Sequence, residues 1–84
     1  MIEVHLYGKL RQFSDNLDPS KDSIVYVPRR TRDTIADIAR RIGIPQEQIG
    51  TNIFHNGWYR TLECKVRDGD RIGLFPTDMS ILIV

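Results

Sequence analysis

A single amphipathic helix constrains the fold of this chain more than any other feature. Within residues 34–42, apolar side chains recur at the spacing of one helical face, and Gly43 and Pro45 supply a stop directly afterwards. Either Asp33 or Thr34 can cap the start; with Thr34 as the cap, Asp37 falls at the third helical position and completes a variant capping box. The 84 residues leave room for one core and no second module, so the helix belongs to a one-domain protein.

The remaining segments predict β-strands joined by turns. Strands are predicted, in chain order, at residues 2–7, 23–27, 52–55, 58–59 and 71–75. The first alternates apolar and polar side chains, which is typical of a half-buried strand, and Pro28 ends the second. Asn56-Gly57 predicts a tight hairpin, and Asp68-Gly69 predicts a turn into the last strand. Between the first two strands, residues 8–22 predict an irregular or briefly helical connection that packs on the core through Leu10, Phe13 and Leu17.

Four local motifs resemble one known family. They are Val4-His5-Leu6-Tyr7-Gly8-Lys9-Leu10-Arg11, Thr34-Ile35-Ala36-Asp37, Ile53-Phe54-His55-Asn56-Gly57, and Asp68-Gly69-Asp70 with Phe75-Pro76. Together they resemble the MoaD/ThiS-like, ubiquitin-related sulfur carriers up to Pro76. The resemblance implies an α+β fold, a ubiquitin-like β-grasp with a mixed sheet of four to five strands packed on one main helix. The predicted domain spans residues 1–76, followed by an apolar C-terminal extension at 77–84.

The extension departs from the family pattern. Sulfur carriers leave the last strand through a Phe-Pro step and end at Gly-Gly, whose carboxylate is adenylated and then thiocarboxylated. Here Ser80 and Ile81 fall where the two glycines are expected, residues 82–84 follow, and no cut of the chain produces a Gly-Gly end. Branched side chains fit poorly in the narrow channel that such a tail must enter. We therefore predict a non-conjugating module that binds proteins, with an active sulfur carrier of molybdopterin, thiamine or related biosynthesis as the alternative.

The predicted partner-binding surface combines a sheet face with the tail. Its residues are Phe54, Trp58, Phe75, Pro76, Met79, Ile81, Leu82, Ile83 and Val84. The tail can fold back on its own domain, add a strand to a partner, or pair with a second copy in a homodimer. The resemblance implies a partner enzyme of sulfur or cofactor metabolism, either an adenylating enzyme or a molybdopterin-synthase-like subunit.

Charge and composition weigh against other partners. The formal net charge is +1, so no bulk field attracts nucleic acid or an anionic membrane, and no apolar run is long enough to span a bilayer. One local exception precedes the helix, where Arg29, Arg30 and Arg32 form a basic cluster, here called the arginine loop. It supports a weaker hypothesis of RNA or phosphate binding near the helix start.

The sequence offers few candidates for catalysis. His5 and His55 lack a suitably spaced carboxylate or thiolate, so we predict no metal site and no cofactor. Cys64 is the one cysteine of the chain, which excludes an internal disulfide, and no histidine is placed by sequence to activate it. We expect a cytoplasmic, reduced protein that is not an enzyme.

Overall fold

Five strands and one α-helix make up the computed structural model, which describes residues 1–14, 18 and 20–79. The strands are β1 (Ile2–Leu6), β2 (Ser23–Val27), β3 (Ile49–His55), β4 (Trp58–Arg60) and β5 (Arg71–Pro76), and the helix is α1 (Ile35–Ile42). Short 3₁₀ turns cover Gly8–Phe13, Gln46–Gln48 and Thr77–Met79. Among the residues described, no helix is long and apolar enough to cross a lipid bilayer.

The strands form one mixed sheet in the order β2-β1-β5-β3-β4. At its centre β1 and β5 run parallel, with Val4 opposite Ile72 and Leu6 opposite Leu74, while the other neighbouring strands are antiparallel. Parallel strands need a long connection, and the chain between β1 and β5 carries α1 across one face of the sheet. The predicted α+β, ubiquitin-like β-grasp is confirmed.

The core lies between α1 and the sheet face that the helix covers. Its largest fully buried side chains are Ile2, Leu6, Leu10, Ile35, Ile38, Ile72, Leu74 and Val4. Full burial of an aliphatic side chain contributes roughly 1.5–3 kcal/mol, so each of these residues adds substantially to the stability of the fold. Leu10 and Phe13 belong to the first 3₁₀ turn and pack on the core as predicted, whereas Leu17 lies outside the described residues.

Both predicted ends of the helix are confirmed. Asp37 N–H donates to Thr34 Oγ1 at 3.3 Å, and Thr34 N–H donates to Asp37 Oδ2 at 2.9 Å, which completes the capping box. At the other end Gly43 adopts the left-handed conformation with φ of 100°, and its N–H donates to the carbonyls of Ala39 and Arg40. Glycine suits this position because it has no Cβ to strain the left-handed backbone.

β3 begins at Ile49, earlier than the predicted start at residue 52. The cause is a close approach between β3 and the end of β5. A Cβ on Gly50 would lie 2.9 Å from the carbonyl oxygen of Pro76 and 3.3 Å from that of Phe75. The missing side chain therefore lets the two strands meet. The prediction began the strand too late because a glycine in a sequence favours a turn.

Candidate protein-docking surface

Four aromatic side chains form a continuous cluster on the outer face of the sheet, away from α1. Tyr7 stacks on Phe75 with ring centroids 4.3 Å apart and an interplanar angle of 6°. Phe54 meets Phe75 edge-on at 5.8 Å and lies 4.5 Å from Tyr59. Aromatic pairs in such arrangements contribute about 0.5–1.5 kcal/mol beyond their burial. Tyr7, Phe54, Tyr59 and Phe75 are called the aromatic cluster below.

A hollow opens within the cluster because β5 carries a glycine there. Gly73 lies opposite Phe54 on one side and His5 on the other. A Cβ added to Gly73 would lie 3.5 Å from Tyr7 Cε2 and 3.6 Å from Phe54 Cβ, so the rings stand directly around it. The hollow has a volume of about 350 Å³, and Arg71 also lines it. It is called the Gly73 hollow below.

A polar network borders the Gly73 hollow on one side. His5 Nε2 lies 2.5 Å from Glu3 Oε2, and Arg71 Nε lies 3.2 Å from the same oxygen. The hydrogen bond with His5 does most to lower the pKa of Glu3, and the charge of Arg71 lowers it further. The Arg71 side chain is 71% exposed, so its guanidinium remains open to a partner.

The structure brings together some of the predicted partner-binding residues and separates others. Phe54 and Phe75 meet on the outer face. Trp58 was predicted beside them, but the register of the hairpin places it on the α1 side of β4, and Tyr59 takes the position next to Phe54. Pro76 is buried. Among the predicted tail residues, Met79 closes the last 3₁₀ turn, whereas Ile81, Leu82, Ile83 and Val84 lie outside the described residues.

A second cluster, on the α1 side of the sheet, was missed by the sequence analysis. Cys64 Sγ lies 3.8 Å from His55 Nδ1, and His55 Nε2 lies 2.6 Å from Asp70 Oδ2. Burial opposes ionisation of Asp70, but hydrogen bonds from Arg67 N–H, His55 and Asn56 together lower its pKa. Cys64 follows β4 in an irregular segment, so no local pattern in the sequence indicates that it meets His55.

The two histidines do not come together. His5 lies on the outer face opposite Gly73, whereas His55 lies opposite the core residue Ile72. In the part of the chain that the structure describes, no group of three or more His, Cys, Asp or Glu side chains is arranged to hold a metal ion.

The arginine loop is exposed, but the helix start beside it is already occupied. Ile35 N–H donates to the carbonyl of Cys64 at 3.0 Å, and Ala36 N–H donates to that of Leu62 at 2.9 Å. The next N–H, that of Asp37, is taken by the capping box. These three donors are therefore not available to a phosphate, so the helix start does not add to RNA binding at the arginine loop.

The family described as Mut7-C ubiquitin matches residues 1–81. The chain belongs to the Mut7-C ubiquitin family. The match includes all five strands and α1, in agreement with the ubiquitin-like fold. No curated protein and no solved structure matches the chain. Within this family assignment, the finer resemblance to MoaD/ThiS carriers remains a prediction.

Proposed function

We propose that this Mut7-C ubiquitin domain is a docking module that binds a partner protein through the aromatic cluster and the Gly73 hollow. The main support is aromatic surface left in water at a hollow and next to it: Tyr7, which lines the hollow, is 39% exposed, and Tyr59, which contacts Phe54 beside it, is 59% exposed. Aromatic residues and arginine are enriched at the energetic centres of protein interfaces, and Arg71 stands at the edge of this hollow. The arrangement favours binding over catalysis.

The shape and charge of the surface define what the partner must present. The hollow is floored by Gly73 and walled by aromatic rings, so it suits a large apolar side chain. Arg71 favours a carboxylate beside that side chain. Because the family name joins a ubiquitin-like module to Mut7-C, a Mut7-C domain is the first partner to test. The MoaD/ThiS resemblance makes an adenylating enzyme or a molybdopterin-synthase-like subunit the next.

Adjacent residues of β4 provide a matched test. Tyr59 belongs to the aromatic cluster, whereas Trp58 is 68% exposed on the opposite face. We expect Tyr59→Ala to raise the Kd for a Mut7-C domain about tenfold or more, as truncation of an interface aromatic does, and Trp58→Ala to change it by less than about twofold. Calorimetric titration of the purified domains measures both. Equal loss in the two variants, or loss in Trp58→Ala alone, would refute the outer face as the docking surface.

The alternative is an active sulfur carrier, which rests on the resemblance of the sequence rather than on this surface. Its chemistry requires an activated terminal carboxylate, and the sequence has Ser80 and Ile81 where Gly-Gly is expected. The intact mass of the protein isolated from its own source distinguishes the two functions. A terminal adduct with oxygen replaced by sulfur would establish the carrier, whereas an unmodified terminus would favour docking alone.

A further inference from the structure

We propose that Cys64, His55 and Asp70 form a nucleophilic thiol site that exchanges with low-molecular-weight disulfides. The site is separate from the docking surface, because His55 lies on the α1 side of the sheet and the aromatic cluster on the outer side. Its geometry follows the general order of an activated nucleophile: a thiol within reach of an imidazole, and the imidazole held by a carboxylate. The two contacts measure 3.8 Å and 2.6 Å.

Asp70 fixes the orientation and the tautomer of the imidazole. Its carboxylate accepts the N–H of Arg67 at 2.7 Å and the amide of Asn56 at 3.0 Å, so it cannot turn away from His55. An ionised carboxylate only accepts hydrogen bonds, so Nε2 of His55 carries the proton. The lone pair of Nδ1 then faces Cys64 Sγ and can accept the thiol proton. Asp70 is thus a positioning residue, and His55 is the base.

The surroundings shield the base while leaving the thiol within reach. The side chains of His55 and Asp70 are only 15% and 13% exposed, whereas Cys64 is half-buried at the surface. The thiol has a second acceptor, the carbonyl of Lys65 at 3.5 Å, which competes with His55 for its proton. The backbone of Cys64 is fixed independently, because its carbonyl accepts the N–H of Ile35 at 3.0 Å.

The exchange balances without any further reactant. The thiol proton of Cys64 passes to Nδ1 of His55 as Sγ attacks one sulfur of a small disulfide. The sulfur–sulfur bond of that disulfide breaks, and a new one joins Cys64 to half of the reagent. The other half leaves as a thiolate and takes the proton from His55. The small disulfide is the oxidant, and the site returns to its starting protonation state.

The chain is suited to a direct test because Cys64 is its one cysteine. The full chain is mixed with dithiodipyridine at pH 7, and release of the coloured product gives the rate constant. General-base assistance in enzymes is worth 10²-fold or more, and for the longer 3.8 Å contact we expect about a tenfold loss in His55→Asn. His5→Asn is the matched control, because His5 lies on the outer face, and its rate should match the unchanged chain.

Two further measurements keep the test decisive if a variant folds poorly. The unchanged chain should react faster when it is folded than when it is unfolded in urea. Burial of the Cys64 thiol by itself would have the opposite effect and slow the reaction of the folded chain. Nitrogen NMR of the imidazole should show His55 with its proton on Nε2, and Asp70→Asn should alter that signature and slow the exchange. A folded rate below the urea rate, a His55→Asn rate within twofold of the unchanged chain, or a proton on Nδ1 would each overturn the proposal.

Discussion

The buried ion pair between Asp33 and Arg41 should contribute more to stability than any surface pair of this domain. Asp33 is 5% exposed. Its carboxylate accepts hydrogen bonds from both terminal nitrogens of Arg41, at 2.8 and 2.9 Å, and from the backbone N–H of Arg30 at 2.7 Å. We expect Asp33→Asn to keep the shape of the side chain but to place either an amide N–H₂ or an uncharged, weaker acceptor against the guanidinium of Arg41. That substitution removes a charge-assisted, bidentate interaction.

The magnitude follows from the effect of the pair on the acid. The hydrogen bonds from Arg41 are the main cause that lowers the pKa of Asp33 from 3.8 to about 2. Each unit of difference between folded and unfolded pKa corresponds to about 1.4 kcal/mol, so the full linkage is roughly 2.5 kcal/mol. Because the Arg41 side chain is 24% exposed and partly screened by water, we expect Asp33→Asn to cost about 2 kcal/mol at pH 7.

The stability that Asp33 contributes should fall as the pH is lowered. Because the folded pKa is lowered, the contribution of Asp33 is complete above pH 3.8 and is lost as pH falls toward 2. Urea unfolding of both chains at several pH values, followed by circular dichroism, measures the difference. At pH 7 the Asp33→Asn substitution should also lower the Tm by about 8–16 °C. A cost below about 0.5 kcal/mol at pH 7, or a cost that stays constant down to pH 2, would refute the reasoning.

The preceding residue of α1, Arg40, supplies the control. Arg40 Nη1 also bonds a carboxylate, that of Asp37 at 2.8 Å, but the Arg40 side chain is 70% exposed. Exposed pairs of this kind are worth less than about 0.5 kcal/mol. Arg40→Gln should therefore have little effect, whereas Arg41→Gln should cost at least as much as Asp33→Asn, since it breaks the same pair and also removes the hydrogen bond to the carbonyl of Pro28 at 2.9 Å.

Two other predictions concern the backbone. Thr34→Ala removes the side chain of the capping box and should cost about 1 kcal/mol in thermal unfolding, with the loss restored by Thr34→Ser. Gly50→Ala should cost about 1–3 kcal/mol, because its Cβ would lie 2.9 Å from the carbonyl oxygen of Pro76. Gly73→Ala is the control, since its nearest neighbour would be an ordinary 3.5 Å away, and its stability should be unchanged; equal costs for the two glycines would contradict the packing argument.

The features that the sequence predicted correctly have local causes. The capping box at Thr34, the left-handed Gly43 and the turn at Asn56-Gly57 each depend on residues within one turn of chain. The side of the sheet on which Trp58 lies could also have been predicted from the sequence. In a two-residue hairpin the second residue after the turn, Tyr59, lies opposite Phe54, so Trp58 must point the other way.

Features that depend on long-range packing were not predictable in this way. Gly50 favours a turn by composition, yet it lies in β3 because β5 approaches it. Tyr7 and Phe75 stack only because the first and last strands are parallel neighbours. The meeting of Cys64 with His55 depends on the path of an irregular segment, which hydrophobic periodicity does not specify.

That irregular segment, residues 61–66, contacts both the start of α1 and His55. Its carbonyls at Leu62 and Cys64 accept the first N–H groups of α1, which fixes its backbone against the helix. The same bonds hold the Cys64 thiol beside His55 and occupy donors that an anion would otherwise use. A disulfide formed at Cys64 would therefore place the added group on the helix side of the domain. Docking through the aromatic cluster, on the other side of the sheet, should persist in the modified protein. Measuring partner binding before and after exchange tests this separation directly.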